Sequence, residues 1–292
     1  MDDFVGYCPV EVTDSVLNVS FPLAVLYPTR APAKPQTVGG YILDLAINAP
    51  PKEGVFPLVI ISHGKGSSPW VYRTLAHHLA GNGFIVGLPE HPFNNRDNKS
   101  WQGTLQNLEA RPRHVQLAIN SLFGHPVFAA SLKPDWVALI GHSMGGYTAL
   151  ALAGGIPTCF PYESPDQQAR TVETVTDDRV KALVLLTPAT PWFFTEGSLR
   201  LVDVPILLLE AEKDEHTPPE HGLLVLHRVA DQNKIQHRVI ENAGHFSFLS
   251  PFPAARTSPM FPPSQDPPGF DRLQFHTELN AEVLAFLTRQ IQ

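Results

Sequence analysis

The sequence predicts an α/β fold: a mostly parallel central sheet with helices on both faces and antiparallel strands at its N-terminal edge. Three observations predict it. Continuous apolar runs, Pro57-Leu58-Val59-Ile60-Ile61-Ser62 and Val137-Ala138-Leu139-Ile140, read as strands buried on both faces. Segments with helical apolar spacing fall between such runs, as in Tyr72, Leu75, Ala76 and Leu79. Between strand and helix, Gly141-His142-Ser143-Met144-Gly145 forms a G-x-S-x-G turn, whose flanking positions must be nearly free of side chains.

Taken in order, residues 10–12, 21–27 and 41–47 are apolar segments separated by turns, read as antiparallel edge strands. The stretch 28–35 carries three prolines and cannot be helical. The strand at 57–62 ends in the small-residue turn His63-Gly64-Lys65-Gly66. A helix over Tyr72 to Leu79 stops at Gly81-Asn82-Gly83, and residues 84–88 form the next strand. Residues 89–104 read as a loop. Pro112 fits the first turn of a helix that carries Val115, Ala118, Ile119 and Leu122 on one side. After the Ser143 turn comes a helix, then strands at 180–186 and 205–209, a helix at 220–230 and a strand at 236–240. A final helix places Leu279, Val283, Phe286 and Leu287 on one face.

With 292 residues and 43% hydrophobic content, the chain has material for one large domain, read here as 1–292. Loop insertions are expected near 154–178, 187–203 and 246–274, in keeping with 29 prolines. A net charge of −7 without a basic run argues against nucleic acid as a partner. No apolar run approaches membrane-spanning length, and the acidic start Met1-Asp2-Asp3 is not followed by the apolar core of a secretory signal. A cytoplasmic protein is the expectation; oligomeric state is left open. Cys8 and Cys159 suggest neither a disulfide framework nor a metal site.

Three strand ends carry chemistry-bearing residues, and in a parallel sheet functional groups gather at those ends. Ser143 follows the first, Asp214 the second, and His245 the third, in the order Ser, Asp, His. A serine hydroxyl is too weakly acidic to ionise unaided, so an imidazole must take its proton. A carboxylate then fixes the ring's tautomer and stabilises the imidazolium. Glu210, Glu212 and Glu215 compete with Asp214, which fits the motif position best. His63, His91, His142 and His216 compete with His245, which follows the last strand and a glycine. His142 reads as a packed neighbour of the serine turn, and His63 as a packed partner of the 63–66 turn.

This pattern resembles the α/β-hydrolase superfamily, and more narrowly the bacterial group related to dienelactone hydrolases and platelet-activating-factor acetylhydrolases. The matching pieces are Tyr27-Pro28-Thr29, the strand ending in His63-Gly64, the Ser143 turn, Asn242-Ala243-Gly244-His245-Phe246, and Phe270-Asp271-Arg272. The resemblance implies an α/β-hydrolase fold, and an oxyanion hole built from the backbone N–H groups of Met144 and Lys65. Dienelactone hydrolases proper use a cysteine nucleophile where this chain has serine, so their substrate does not carry over.

Aromatic residues cluster in the loops. Trp192, Phe193, Phe246 and Phe248 are expected to line an apolar pocket, with residues 246–274 as a fixed, proline-rich wall. No H-E-x-x-H or comparable ligand spacing is present, so neither metal nor cofactor is expected. The expected activity is hydrolysis of a small or medium, largely apolar carboxylic ester through an acyl-enzyme. Lactones, thioesters and amides are open to the same chemistry. A catalytically silent ligand-binding protein is the alternative from another class.

Overall fold

The computed structural model describes residues 4–291. At the N-terminus, β1 (Phe4–Asp14) and β2 (Val19–Thr29) pair antiparallel, with Val10 opposite Leu23. The Asp14 carboxylate closes their turn by accepting the amides of Val16 and Leu17 at 2.9 and 3.1 Å. A hairpin of β3 (Lys34–Val38) and β4 (Tyr41–Ile47) follows, turning on Gly39 and Gly40, both at positive φ. The edge strands pair antiparallel as expected, with one exception. β4 runs parallel to β1, and β3, unread in the sequence, forms the outermost strand. Pro35 hid it, yet an edge strand has a free side on which a missing N–H costs nothing.

The chain then alternates: β5 (Phe56–Ser62), α1 (Arg73–Gly81), β6 (Ile85–Pro89), α2 (Leu105–Phe123), β7 (Leu132–His142) and α3 (Met144–Leu152). Residues 154–178, unassigned from sequence, contain the short ribbon of β8 (Thr158–Cys159) and β9 (Arg170–Thr171). The last elements are β10 (Val180–Leu186), β11 (Ile206–Ala211), α4 (Glu220–Arg228), β12 (Ile235–Ile240) and α5 (Arg272–Ile291). Ten strands join in the order β12-β11-β10-β7-β5-β6-β2-β1-β4-β3. The run from β12 to β6 is parallel, and β2 docks antiparallel on β6.

Alternation within β5 explains why its sequence is apolar throughout. Leu58 and Ile60 enter one core with α2 and α3, while Val59 and Ile61 enter another with α1 and α5. Each such buried aliphatic side chain contributes about 1.5–3 kcal/mol. The two thiols lie apart in β1 and β8 and are both free.

Pro112 does not open α2; the helix begins a full two turns earlier. Its cap is Thr104, whose side chain accepts the Asn107 amide at 3.3 Å, a preference shared by other small polar residues. A proline inside a helix leaves the carbonyl four residues back without its usual donor. Here that carbonyl is Leu108's, and the Tyr147 hydroxyl from α3 donates to it at 3.0 Å.

Candidate active site

β7 delivers Ser143 to a sharp turn at φ 53°, ψ −120°, and Met144 opens α3 directly after it. Such a conformation costs a non-glycine residue on the order of 1–3 kcal/mol. Crowding enforces the glycines: a Cβ on Gly141 would run into the Gly145 carbonyl, and one on Gly145 into that of Ser62. The turn is fastened to the next strand, with Ser143 N–H donating to Leu186 O at 3.0 Å and Ala189 N–H to Ser143 O at 2.8 Å.

Asp214 and His245 meet on the same side. Nδ1 of His245 lies 2.8 and 3.0 Å from the two carboxylate oxygens, and both side chains are about 95% buried or more. Asp214 also accepts the amides of His216 and Thr217 and the Thr217 hydroxyl, each at 2.8 Å. Burial raises the Asp214 carboxyl pKa, but the His245 bond and the loop amides outweigh it and bring it to about 2. Two of the competing carboxylates are engaged elsewhere, Glu210 with His237 at 2.6 Å and Glu212 with the Asn242 amide at 2.7 Å, and Glu215 is exposed. His216 stands beside His245, ring centroids 4.9 Å apart.

His142 is more than a packed neighbour. Its Nε2 must donate to the His245 carbonyl at 3.0 Å, because a carbonyl only accepts. Nδ1 therefore accepts from the Tyr72 hydroxyl at 2.9 Å, and that oxygen in turn accepts the Gly64 amide at 3.3 Å. Three distant loops are thus indexed to one another through one tyrosine and one neutral imidazole. Burial, aided by the neighbouring His245, presses the His142 pKa down to about 3, so the tautomer stays fixed at neutral pH.

Behind the 63–66 turn lies Arg111, fully buried on α2. Nε donates to Thr148 Oγ1 at 3.0 Å, Nη1 to Asn94 Oδ1 at 2.8 Å, and Nη2 to Ser62 Oγ at 3.3 Å and to the His63 carbonyl. Thr148 in turn donates to Met144 O at 3.1 Å, and the Asn94 carbonyl accepts Gly66 N–H at 3.3 Å. Its other neighbours are His63, His91 and His114, all pushed toward the neutral form chiefly by burial. Position 111 follows Leu108 by three and precedes Val115 by four, so the apolar spacing of α2 placed it inward. A charged side chain at that position carries no mark of burial in the sequence, and it went unread.

Ser143, Met144, Lys65 and His245 all line one cavity of about 720 Å³, with Trp192 and Phe246 among its walls. Trp192 is held there by Glu163, which accepts its indole N–H at 2.9 and 3.1 Å. The expectation for Phe193 and Phe248 is corrected: both are buried in the core rather than lining the cavity. Phe193 packs on Tyr147 and Phe248 edge-on against Phe275, because each points from its turn toward the sheet. Phe252 and Phe261 take their place in the lining. The 246–274 wall is pinned where Arg272 grips the Asp266 carboxylate at 2.9–3.1 Å and the carbonyls of Pro263 and Gln265. Among the described residues, no group of three or more His, Cys, Asp or Glu side chains is disposed to hold a metal ion, and no helix is long and apolar enough to cross a membrane.

A family model described as Chlorophyllase matches residues 32–160. Platelet-activating factor acetylhydrolase of Cavia porcellus is 32% identical over 144 residues, covering 35% of this chain and 33% of that protein. Chlorophyllase-1 of Arabidopsis thaliana is 25% identical over 131 residues, covering 44% and 35%. The chain spans about a third of the length of the curated relatives it matches. Among solved structures, a ferulic acid esterase from Streptomyces cinnamoneus superposes with TM-score 0.69 at 19% identity, over 98% of this chain and 90% of that one. A dienelactone hydrolase from Anabaena variabilis gives TM-score 0.58 at 16% identity, over 98% of each. The fold these structures share with this chain is the α/β-hydrolase fold.

Proposed function

We propose that this member of the α/β-hydrolase superfamily is a serine hydrolase of carboxylic esters. The observation that carries the reading is the buried His245–Asp214 bond, on a ring that shares its cavity with a serine held on a strained turn. With Nδ1 committed to the carboxylate, Nε2 of His245 is the nitrogen left to take the Ser143 proton. Ser143 Oγ attacks the ester carbonyl, and the amides of Met144 and Lys65 receive the oxyanion. The alcohol leaves with the proton from His245, forming an acyl-serine. Water then gives its proton to the same nitrogen, attacks the acyl group, and releases the acid. A cavity of about 720 Å³ suits a small or medium ester.

The test is a pre-steady-state burst of nitrophenol from 4-nitrophenyl acetate, together with covalent labelling by a fluorophosphonate. Both are expected, and the label should fall on Ser143. A protein that shows neither is a ligand-binding member of the fold.

Asp214 supplies a second check. Asp214→Asn is expected to lower kcat by on the order of 10³- to 10⁴-fold, because the amide favours the wrong tautomer of His245. Glu212→Gln should change it little. The folded Asp214 carboxyl titrates near 2 against an ordinary value of 3.8, so its ionised form stabilises the fold above about pH 4. That contribution, about 2 kcal/mol, is lost as pH falls through 2. Urea midpoints of parent and Asp214→Asn should therefore differ at pH 6 and converge toward pH 2.

A further inference from the structure

Every fully charged side chain lining the cavity is a cation. Lys65, Arg96 and Arg256 line it and no aspartate or glutamate does, although acids outnumber bases 28 to 21 in the sequence. Arg96 is neutralised by Asp97, which accepts from Nε and Nη2 at 3.0 Å. Arg256 is not. Its guanidinium sits over the Tyr41 ring, 4.5 Å from the centroid, and no carboxylate among the described residues bonds it. A second guanidinium, that of buried Arg73, lies 3.7 Å from the same centroid and is spent on the carbonyls of Trp70 and Pro251.

Two guanidiniums lie against one tyrosine ring, and Lys65, with no ion pair among the described residues, lines the same cavity. Such an arrangement gives the cavity mouth a positive potential that favours a bound anion. The contact with the Tyr41 ring restrains the Arg256 guanidinium, whose forked N–H pairs match a planar or tetrahedral oxyanion. Aromatic side chains, Phe252 and Phe261 among them, line the same cavity and give the uncharged part of such a substrate an apolar surface.

Resting on the ester-hydrolase reading, we propose that the cavity selects esters that carry an oxyanion, carboxylate or phosphate-like, on a part of the substrate that does not react, and that Arg256 receives it. The bond broken and the bond formed are those of ester hydrolysis; the anion takes no part in them. Charge at a distance from the carbonyl sets which esters are chosen.

Three 4-nitrophenyl esters of matched length test this: the hydrogen adipate, its neutral methyl ester, and 5-phosphonopentanoate. The unaltered protein is expected to favour one or both anionic esters over the neutral one by about tenfold in kcat/KM, and high salt should shrink that ratio. Whether the carboxylate or the phosphonate wins identifies the oxyanion. In Arg256→Gln the ratio should fall to about one, and Arg256→Lys should restore part of it. Arg238→Gln, which removes a surface cation paired with Glu282, should leave it as in the parent. Hydrolysis with equal or better use of the neutral ester overturns the anion preference and leaves the hydrolase reading standing. A preference that survives in Arg256→Gln overturns the assignment to Arg256. Hydrolysis of none of the three overturns both.

Discussion

Ser143→Ala is expected to abolish turnover of 4-nitrophenyl acetate, lowering kcat by on the order of 10⁵- to 10⁶-fold, and His245→Ala to do the same. The double variant should be hardly worse than either, the signature of a serine and an imidazole that act as one unit. Stability should hold in Ser143→Ala. Alanine keeps the Cβ that the turn already accommodates at φ 53°, and the backbone bonds to Leu186 and Ala189 do not involve the hydroxyl. The comparison therefore needs two measurements, turnover and the urea midpoint. An alanine variant that unfolds at the same urea concentration yet retains a tenth of the activity would remove Ser143 from the chemistry.

Arg111→Met is expected to cost about 100-fold in kcat while moving the folding free energy by no more than about 2 kcal/mol. The small stability change reflects two opposed effects. Burial lowers the Arg111 pKa to about 9, so its charge is disfavoured where it sits, and an apolar side chain of similar length escapes that cost. Against this, the Asn94 and His63 oxygens lose a donor, at about 1–3 kcal/mol each. Activity has no such compensation. Arg111 bridges the His63 carbonyl, two residues before Lys65, and Thr148, one turn after Met144, so it sets the spacing of the two proposed oxyanion donors. The effect should appear in kcat with KM little changed, and Arg111→Lys should recover only a fraction, because one ammonium cannot span four acceptors. A large fall in stability with normal turnover per folded molecule would make Arg111 a structural residue alone.

The sheet was legible wherever burial on both faces left one residue class in place, as in β5, β7, β10 and β11. The glycines around Ser143 were legible for a related reason: close backbone approach excludes side chains, and the sequence records that exclusion. Asp214 and His245 were found by their place after a strand, and the structure brings those two side chains into contact. Other features were hidden by residues in unusual surroundings. Pro112 marked a helix start by propensity, whereas Thr104 and a hydroxyl from another helix allowed it an interior place. Phe193 and Phe248 carry no mark that separates a pocket wall from a core when both neighbours are apolar. Arg111 went unread and His142 was read as a packed neighbour, because what they connect depends on tertiary contacts 17 to 103 residues away.

The proline within α2 has one more consequence. By omitting one amide it opens the Leu108 carbonyl, three residues before Arg111, which the neighbouring helix clasps with a phenol. A break in one helix thereby becomes a rivet between two, tying the helix that carries the guanidinium to the one that follows Ser143.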